Sequence, residues 1–292
     1  MPKTVRNIGA SVRARLRNIA ADRNQPFELL LTRYVLERLL YRLVQTPHKD
    51  RFVLKGAMLM TAWFNDPLRP TRDVDLLGFG DADPDGMLAV FRDICAVEAA
   101  DGVMLDATAL EINPIRDEME YGGLRIKTNA TVDGARVRVV IDIGFGDAVE
   151  AAEVELPVLL DQPPPRMRAY PRESVIAEKF HAMVLLGLAN TRLKDFYDIW
   201  VLAQSYDFDG DAMARALTAT FARRKTEIPA ERPDALTHDF ANDPTKIQQW
   251  EAFVDLLETA PGPLEKVVRE LAVFLMPHAE AARKLSGRSA SV

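Results

Sequence analysis

Helical spacing of apolar residues opens the chain, strict alternation fills its middle, and helical spacing returns at its end. Ile8, Val12, Leu16 and Ile19 recur at the period of one helix face and predict an amphipathic helix, with Ser11 as a candidate cap. After Pro26 the run to about Val44 is apolar on more than one face, which predicts a buried helix. Arg51 to Lys55 reads as a short strand ended by Gly56, and Met58 to Phe64 as a helix broken by Asp66-Pro67. Asp73 to Leu77 predicts the next strand, closed by Gly78-Phe79-Gly80. Pro84 then opens a helix that runs to about Cys95.

In the middle of the chain, Met104 to Ile112 reads as one strand. Leu124 to Val132 and Ala135 to Asp142 alternate apolar with polar residues, and Asp133-Gly134 between them is a strong hairpin signal. The antiparallel pair is expected to join the earlier strands in one mixed sheet with helices packed on it. Gln162-Pro163-Pro164-Pro165 punctuates the chain, and beyond it the pattern is helical almost throughout. Helices are predicted near residues 173–186, 193–205, 210–224, 244–257 and 263–275, followed by a disordered tail, KLSGRSASV. The fold class is therefore α/β in the α+β sense. A mixed-sheet core with leading and flanking helices is expected over 1–162, and a helical domain over 166–285.

Composition narrows the chemistry. With 292 residues, 48% of them hydrophobic and 27% charged, the chain can bury a substantial core. A net charge of -6 argues against a generally basic nucleic-acid coat but leaves room for local basic patches. The single cysteine, Cys95, excludes an intrachain disulfide and cysteine-cluster zinc sites, and the four histidines lack metal-ligand spacing. No apolar run is long enough to span a membrane and the N-terminus lacks a secretory pattern, so the expectation is a cytoplasmic protein.

The candidate chemistry begins at Asp73 and Asp75. Two residues apart on an extended strand, their carboxylates point the same way and repel. A divalent cation resolves that conflict, and Gly56 at the turn before lets backbone approach a phosphate closely. The plainer alternative is two solvated acids at a strand end. Asp142 stands alone in the apolar run Val139 to Ile143, either as a third metal-ligating carboxylate or as the partner of Arg125 or Arg138. Asp147 is a weaker candidate. Lys179 sits among apolar neighbours and needs an anionic partner; Arg192, Asp195 and Asp198 share one helix face at three-residue steps. A phosphate-binding lysine with a positioning acid and a surface Arg–Asp pair are equally compatible with that pattern. Histidines, Cys95 and tryptophans fit core packing, and the common glycine-rich phosphate loops are absent.

The order FVLKGA, RPTRDVDLL, IDIGFGD, AEKF and TRLKDFYDIW, with RNIGASVRARLRNIA and RYVLERLLYRL ahead of it, resembles the AbiEii/AbiGii-type nucleotidyltransferase toxins. These include the MenT-like enzymes and belong to the polymerase-beta-like nucleotidyltransferase superfamily. The resemblance covers roughly residues 5 to 205. It implies a nucleotidyltransferase core followed by helices. Gly56 and Ala57 would face the triphosphate, Asp73 and Asp75 would bind Mg²⁺, and Asp142 would be the third carboxylate that helps activate the attacking hydroxyl. Lys179 would hold nucleotide phosphates, and Asp195 would be the late essential acid, with Arg192 and Lys194 beside the nucleotide. One departure is Ala57, where the superfamily often has serine or glycine, so a phosphate-contacting hydroxyl is missing. Family members act in toxin–antitoxin systems with a separate antitoxin, and some add nucleotides from NTP to the 3′ acceptor end of tRNA. A tRNA substrate needs a basic surface, for which the arginines of residues 6–17, Arg136 with Arg138, or Arg223-Arg224-Lys225 are candidates. The alternatives are nucleotidyl transfer to a protein or small molecule, and a catalytically silent module that binds nucleotide or a partner.

Overall fold

The computed structural model describes residues 7–64, 69–115, 123–146, 149–257 and 260–289. Helix α1 (Ile8–Asp22) starts one turn ahead of Ser11 because Asn7 caps it, its side chain accepting from the Ala10 amide. Helix α2 (Phe27–Val44) is buried along most of its length, as its all-round apolar pattern requires. Strand β1 (Phe52–Lys55), helix α3 (Met58–Phe64), strand β2 (Val74–Gly78) and helix α4 (Pro84–Ala96) follow. Asp66-Pro67, Asp147 and the last three residues lie outside the described residues.

The stretch expected as one strand from Met104 to Ile112 is divided. Strand β3 (Val103–Leu105) stops at Asp106, whose carboxylate accepts from the Thr108 and Ala109 amides and bends the chain into a 3-10 turn. Strand β4 (Glu111–Ile115) then starts afresh. The long hairpin of β5 (Gly123–Val132) and β6 (Ala135–Phe145) turns at Asp133-Gly134, both with positive φ, as a two-residue turn demands. Strands β7 (Ala152–Glu155) and β8 (Arg166–Ala169) flank the proline run. Four residues each are too few to show a period, which is why alternation does not reveal them.

Among the described residues eight strands form one mixed sheet in the order β3-β5-β6-β2-β1-β8-β7, with β4 also on β5. The β2–β6 and β1–β8 pairs are parallel and the others antiparallel. Val74, Leu76, Ile126, Val139, Ile141 and Ile143 are buried on one face, where α2 packs on β6 and α1 on β5. Buried Asp101 is gripped by Arg38 at 2.8 Å and by Arg42 at 2.7 and 3.0 Å, which ties α2 to the segment before β3.

The chain divides into two compact units: Met1–Gly146 with Ala151–Ala169, and Asp147–Glu150 with Tyr170–Val292. The sheet thus continues beyond the proline run, through β8. The second unit contains α5 (Arg172–Leu186), α6 (Leu193–Ser205), α7 (Gly210–Arg223), α8 (His238–Ala241), α9 (Pro244–Val254) and α10 (Leu264–Ser289). Helix α10 overrides the expectation of a stop near Leu275 and a disordered tail. It passes through Pro277, and Ala279 and Ala282 are fully buried on the side of α10 that packs on α7. That burial offsets the backbone bond a proline removes. Among the described residues no helix is long and apolar enough to cross a membrane.

Candidate active site

The acids of the first unit are brought together by strand register. Asp75, second residue of β2, is the direct partner of Lys55 on β1 and of Asp142 on β6; Asp142 in turn is the partner of Arg125 on β5. Partners in register point to the same face, so the four adjacent strands carry a row Lys55–Asp75–Asp142–Arg125. Asp73 stands just before β2 and accepts from the Thr71 hydroxyl at 3.0 Å. Asp73, Asp75 and Asp142 are all half-buried, while their strand neighbours Val74, Leu76 and Ile141 are fully buried.

Gly56 shows how tightly the site is drawn. Its φ is +73°, and a Cβ there would lie 1.9 Å from Asp75 Oδ2. No L side chain fits between this turn and the carboxylate, so the backbone of β1's end lies directly against Asp75. Ala57, next in the turn, is buried. Lys55 crosses the row: its Nζ lies 3.4 Å from where a Cβ on Gly144 would sit.

Arg125 holds Asp142 with a two-pronged grip, Nε to Oδ1 at 2.7 Å and a terminal nitrogen to Oδ2 at 2.6 Å. These bonds, opposed by desolvation and helped by the charges of Asp142, Asp73 and Asp75, raise the guanidinium's pKa. All three carboxylates therefore act on one cation. Among the described residues no three acidic, histidine or cysteine side chains form a ready metal cage. Asp73 and Asp75 nevertheless supply the hard-oxygen donors that suit Mg²⁺, which is commonly held by one or two carboxylates with substrate phosphates and water completing the shell. The residues present fit a nucleotide-borne Mg²⁺ on Asp73 and Asp75, whereas both oxygens of Asp142 are engaged by Arg125.

The second unit holds a different cluster. Lys179 on α5 reaches Asp195 Oδ1 at 2.5 Å and Asp198 Oδ2 at 2.9 Å on α6. Arg192 Nε stands 2.8 Å from Asp195 Oδ2, but off the line of a hydrogen bond, so that buried oxygen has an ionic neighbour and no aligned donor. The Asp195 and Asp198 side chains are 2% and 0% exposed, against 54% for Arg192. Two cations thus balance two buried acids. The Arg192 amide donates to Asn190 Oδ1 at 2.8 Å, and Lys246 donates to the Asn190 carbonyl at 2.7 Å, which fixes the approach to α6. Lys194, the second residue of α6, is exposed.

The predicted residues therefore fall into two groups. Gly56, Ala57, Asp73, Asp75 and Asp142 share one sheet row and turn in the first unit. Lys179, Arg192, Lys194 and Asp195 share the α5–α6 region of the second. The sequence offered Arg125 and Arg138 as alternative partners of Asp142, and the row and the place of Lys55 in it were not read. They become visible only through the β1–β2 and β5–β6 registers.

The mixed sheet thus places one acid, Asp75, against a glycine turn and a second, Asp142, beside it in register. The family described as "Nucleotidyl transferase AbiEii toxin, Type IV TA system" matches residues 38–274, and the chain belongs to that family. Two Helicobacter pylori crystal structures align over most of their length. A candidate nucleotidyltransferase is 17% identical, covering 88% of this chain and 97% of its own, with a TM-score of 0.48. JHP933 is 18% identical, covering 90% of this chain and 95% of its own, with a TM-score of 0.46. No curated protein matches the chain.

Proposed function

We propose that the protein is a Mg²⁺-dependent nucleotidyltransferase toxin of the cytoplasm that joins a nucleotide from an NTP to the 3′ acceptor end of tRNA and is neutralised by a separate antitoxin protein. The observation that supports the reading is Asp75 packed against the glycine turn at Gly56, with Asp73 two residues before it and Asp142 next to it in register. In the reaction the RNA 3′-oxygen forms a bond to the α-phosphorus, the bond to the β-phosphate oxygen breaks, and pyrophosphate leaves. A bound Mg²⁺ would neutralise charge on the attacking and leaving oxygens. Asp73 and Asp75 would hold the Mg²⁺ carried by the nucleotide's phosphates, and the backbone at Gly56-Ala57, beside Asp75, would approach those phosphates in place of the absent hydroxyl. Asp142 takes the proton of the attacking hydroxyl once Arg125 yields its grip, and the freed guanidinium is left beside the anionic phosphates.

Incubation with total tRNA, Mg²⁺ and each labelled NTP tests this. Label is expected at tRNA 3′ ends and is expected to vanish with Asp75→Asn. Label on protein or on a small molecule would replace the acceptor. An absence of label with every nucleotide would refute the transferase reading.

A further inference from the structure

The β5–β6 hairpin has one face covered by helices and one face open. On the open face the register pairs are Arg125 with Asp142, Lys127 with Val140, Asn129 with Arg138 and Thr131 with Arg136. Arg125, Asn129, Arg136 and Arg138 are exposed, and Lys127, Thr131 and Val140 are half-buried. The strip therefore runs without a break from the hairpin tip to the Asp142–Asp75 row. Glu111 on β4 faces Lys127 and offsets it. Asp133 at the tip is already engaged by Asn7 and Arg13. Arg136 and Arg138 make no ion pair among the described residues.

The other basic stretches differ. Arg13 bonds Asp133, Arg15 pairs with Asp161 at 2.5 Å, and Arg17 lies over the Phe27 ring, so these arginines of α1 are engaged within their unit. Arg224 pairs with Glu178 at 3.3 Å. On a chain of net charge -6, two unneutralised arginines in line with the carboxylate row form a local positive track. Their Cα atoms lie about 7 Å apart and Arg138 lies about 14 Å from Asp142 along the strand. That spacing suits successive phosphates of an extended strand.

We infer that the open face of the β5–β6 hairpin is the track on which the single-stranded 3′ end of the RNA acceptor lies, with Arg136 and Arg138 on its phosphates. This rests on the RNA-acceptor reading above. The track has no aromatic side chain, so bases are not stacked on it and its grip is electrostatic. Asn129 and Thr131, directly across the strands from Arg138 and Arg136, offer hydrogen bonds to 2′-hydroxyls, the group that separates RNA from DNA. The recognition is tolerant of sequence, salt-sensitive and selective for RNA over DNA.

The test compares wild type, Arg136→Gln/Arg138→Gln and Arg136→Lys/Arg138→Lys. Binding of a fluorescein-labelled single-stranded oligoribonucleotide, and of its deoxy counterpart, is followed by anisotropy at about 50 and about 200 mM salt, alongside binding of NTP. Removing two phosphate contacts should weaken RNA binding roughly tenfold at low salt and flatten the log–log salt slope by about 1.4. The lysine variant should keep most of the binding, wild type should prefer RNA to DNA, and NTP affinity should be unchanged in all three. If wild type labels and binds RNA while the glutamine variant matches it in affinity and slope, the track is wrong and the acceptor reading stands. If wild type neither binds nor labels RNA, both fall. Loss of antitoxin binding with RNA binding intact would make this face a protein interface and overturn the proposal.

Discussion

Two acidic clusters sit in this molecule, and they are built on opposite principles. The first, Asp73, Asp75 and Asp142, lies across strands and is half-buried, and its Asp142 is gripped by an arginine that is 44% exposed. The second, Asp195 and Asp198, lies on one helix face, is sealed from water, and is held by a lysine that is 12% exposed. Similar residue types thus serve different ends. A part-exposed cation can give way to another, because water or an incoming ligand can solvate the charge it leaves. A buried cation cannot leave without stranding two charges in a medium that does not solvate them. The first cluster is suited to receiving a ligand, while the second has its charge requirement already met by the protein.

That difference separates the effects of removing charge. Lys179→Met should cost about 3–5 kcal/mol of stability, read as a lowered urea midpoint, because Asp195 and Asp198 lose their shared partner. Adding Asp195→Asn and Asp198→Asn to it should recover most of the loss. Asp75→Asn should leave the midpoint nearly unchanged while abolishing transfer. Were Asp75→Asn the destabilising change and Lys179→Met the silent one, the two clusters would have to exchange roles.

Gly56→Ala probes the first cluster through its backbone. The added methyl meets Asp75 Oδ2, and the residue keeps φ near +73°, so strain of about 1–3 kcal/mol is expected together with loss of nucleotide binding. Normal nucleotide binding by this variant would separate the turn from the site.

Acid probes the second unit. His181, two residues after Lys179 on α5, is fully buried, and burial aided by the Arg224 charge brings its pKa down to about 4. Arg224 donates to Nδ1 at 3.3 Å, so Nε2 carries the proton and donates to the Thr226 hydroxyl at 2.9 Å. Above pH 6.5 the ring is neutral both folded and unfolded, with no effect on stability. As pH falls from there toward 4, the unfolded chain takes up a proton that the folded one refuses, and stability drops by up to roughly 3 kcal/mol. Urea midpoints between those limits should therefore fall less steeply in His181→Leu than in wild type.

The sequence made the local elements legible and left the long-range ones hidden. The alternation of β5 and β6 and the Asp133-Gly134 turn specify their hairpin outright, and α6 has the bounds its spacing predicts. Asp73 and Asp75 are legible as a pair because an i, i+2 spacing fixes their common face. The parallel β2–β6 pairing joins residues nearly seventy apart, and no periodicity encodes that register. The place of Lys55 in the row was hidden for the same reason. Sequence left open whether Asp142 would meet Arg125, and the structure resolves it with the two-pronged grip. The continuation of α10 past Pro277 was illegible because a local breaker was outweighed by distant packing on α7.

The central claim is that the half-buried acids, and not the fully buried ones, receive a metal-bound nucleotide. Calorimetric titration of Mn²⁺ with a non-hydrolysable NTP analogue tests it directly on wild type, Asp75→Asn and the Lys179→Met/Asp195→Asn/Asp198→Asn variant. The account predicts metal binding in wild type, its loss in Asp75→Asn, and its retention in the triple variant. Binding that survives Asp75→Asn and disappears in the triple variant would contradict it.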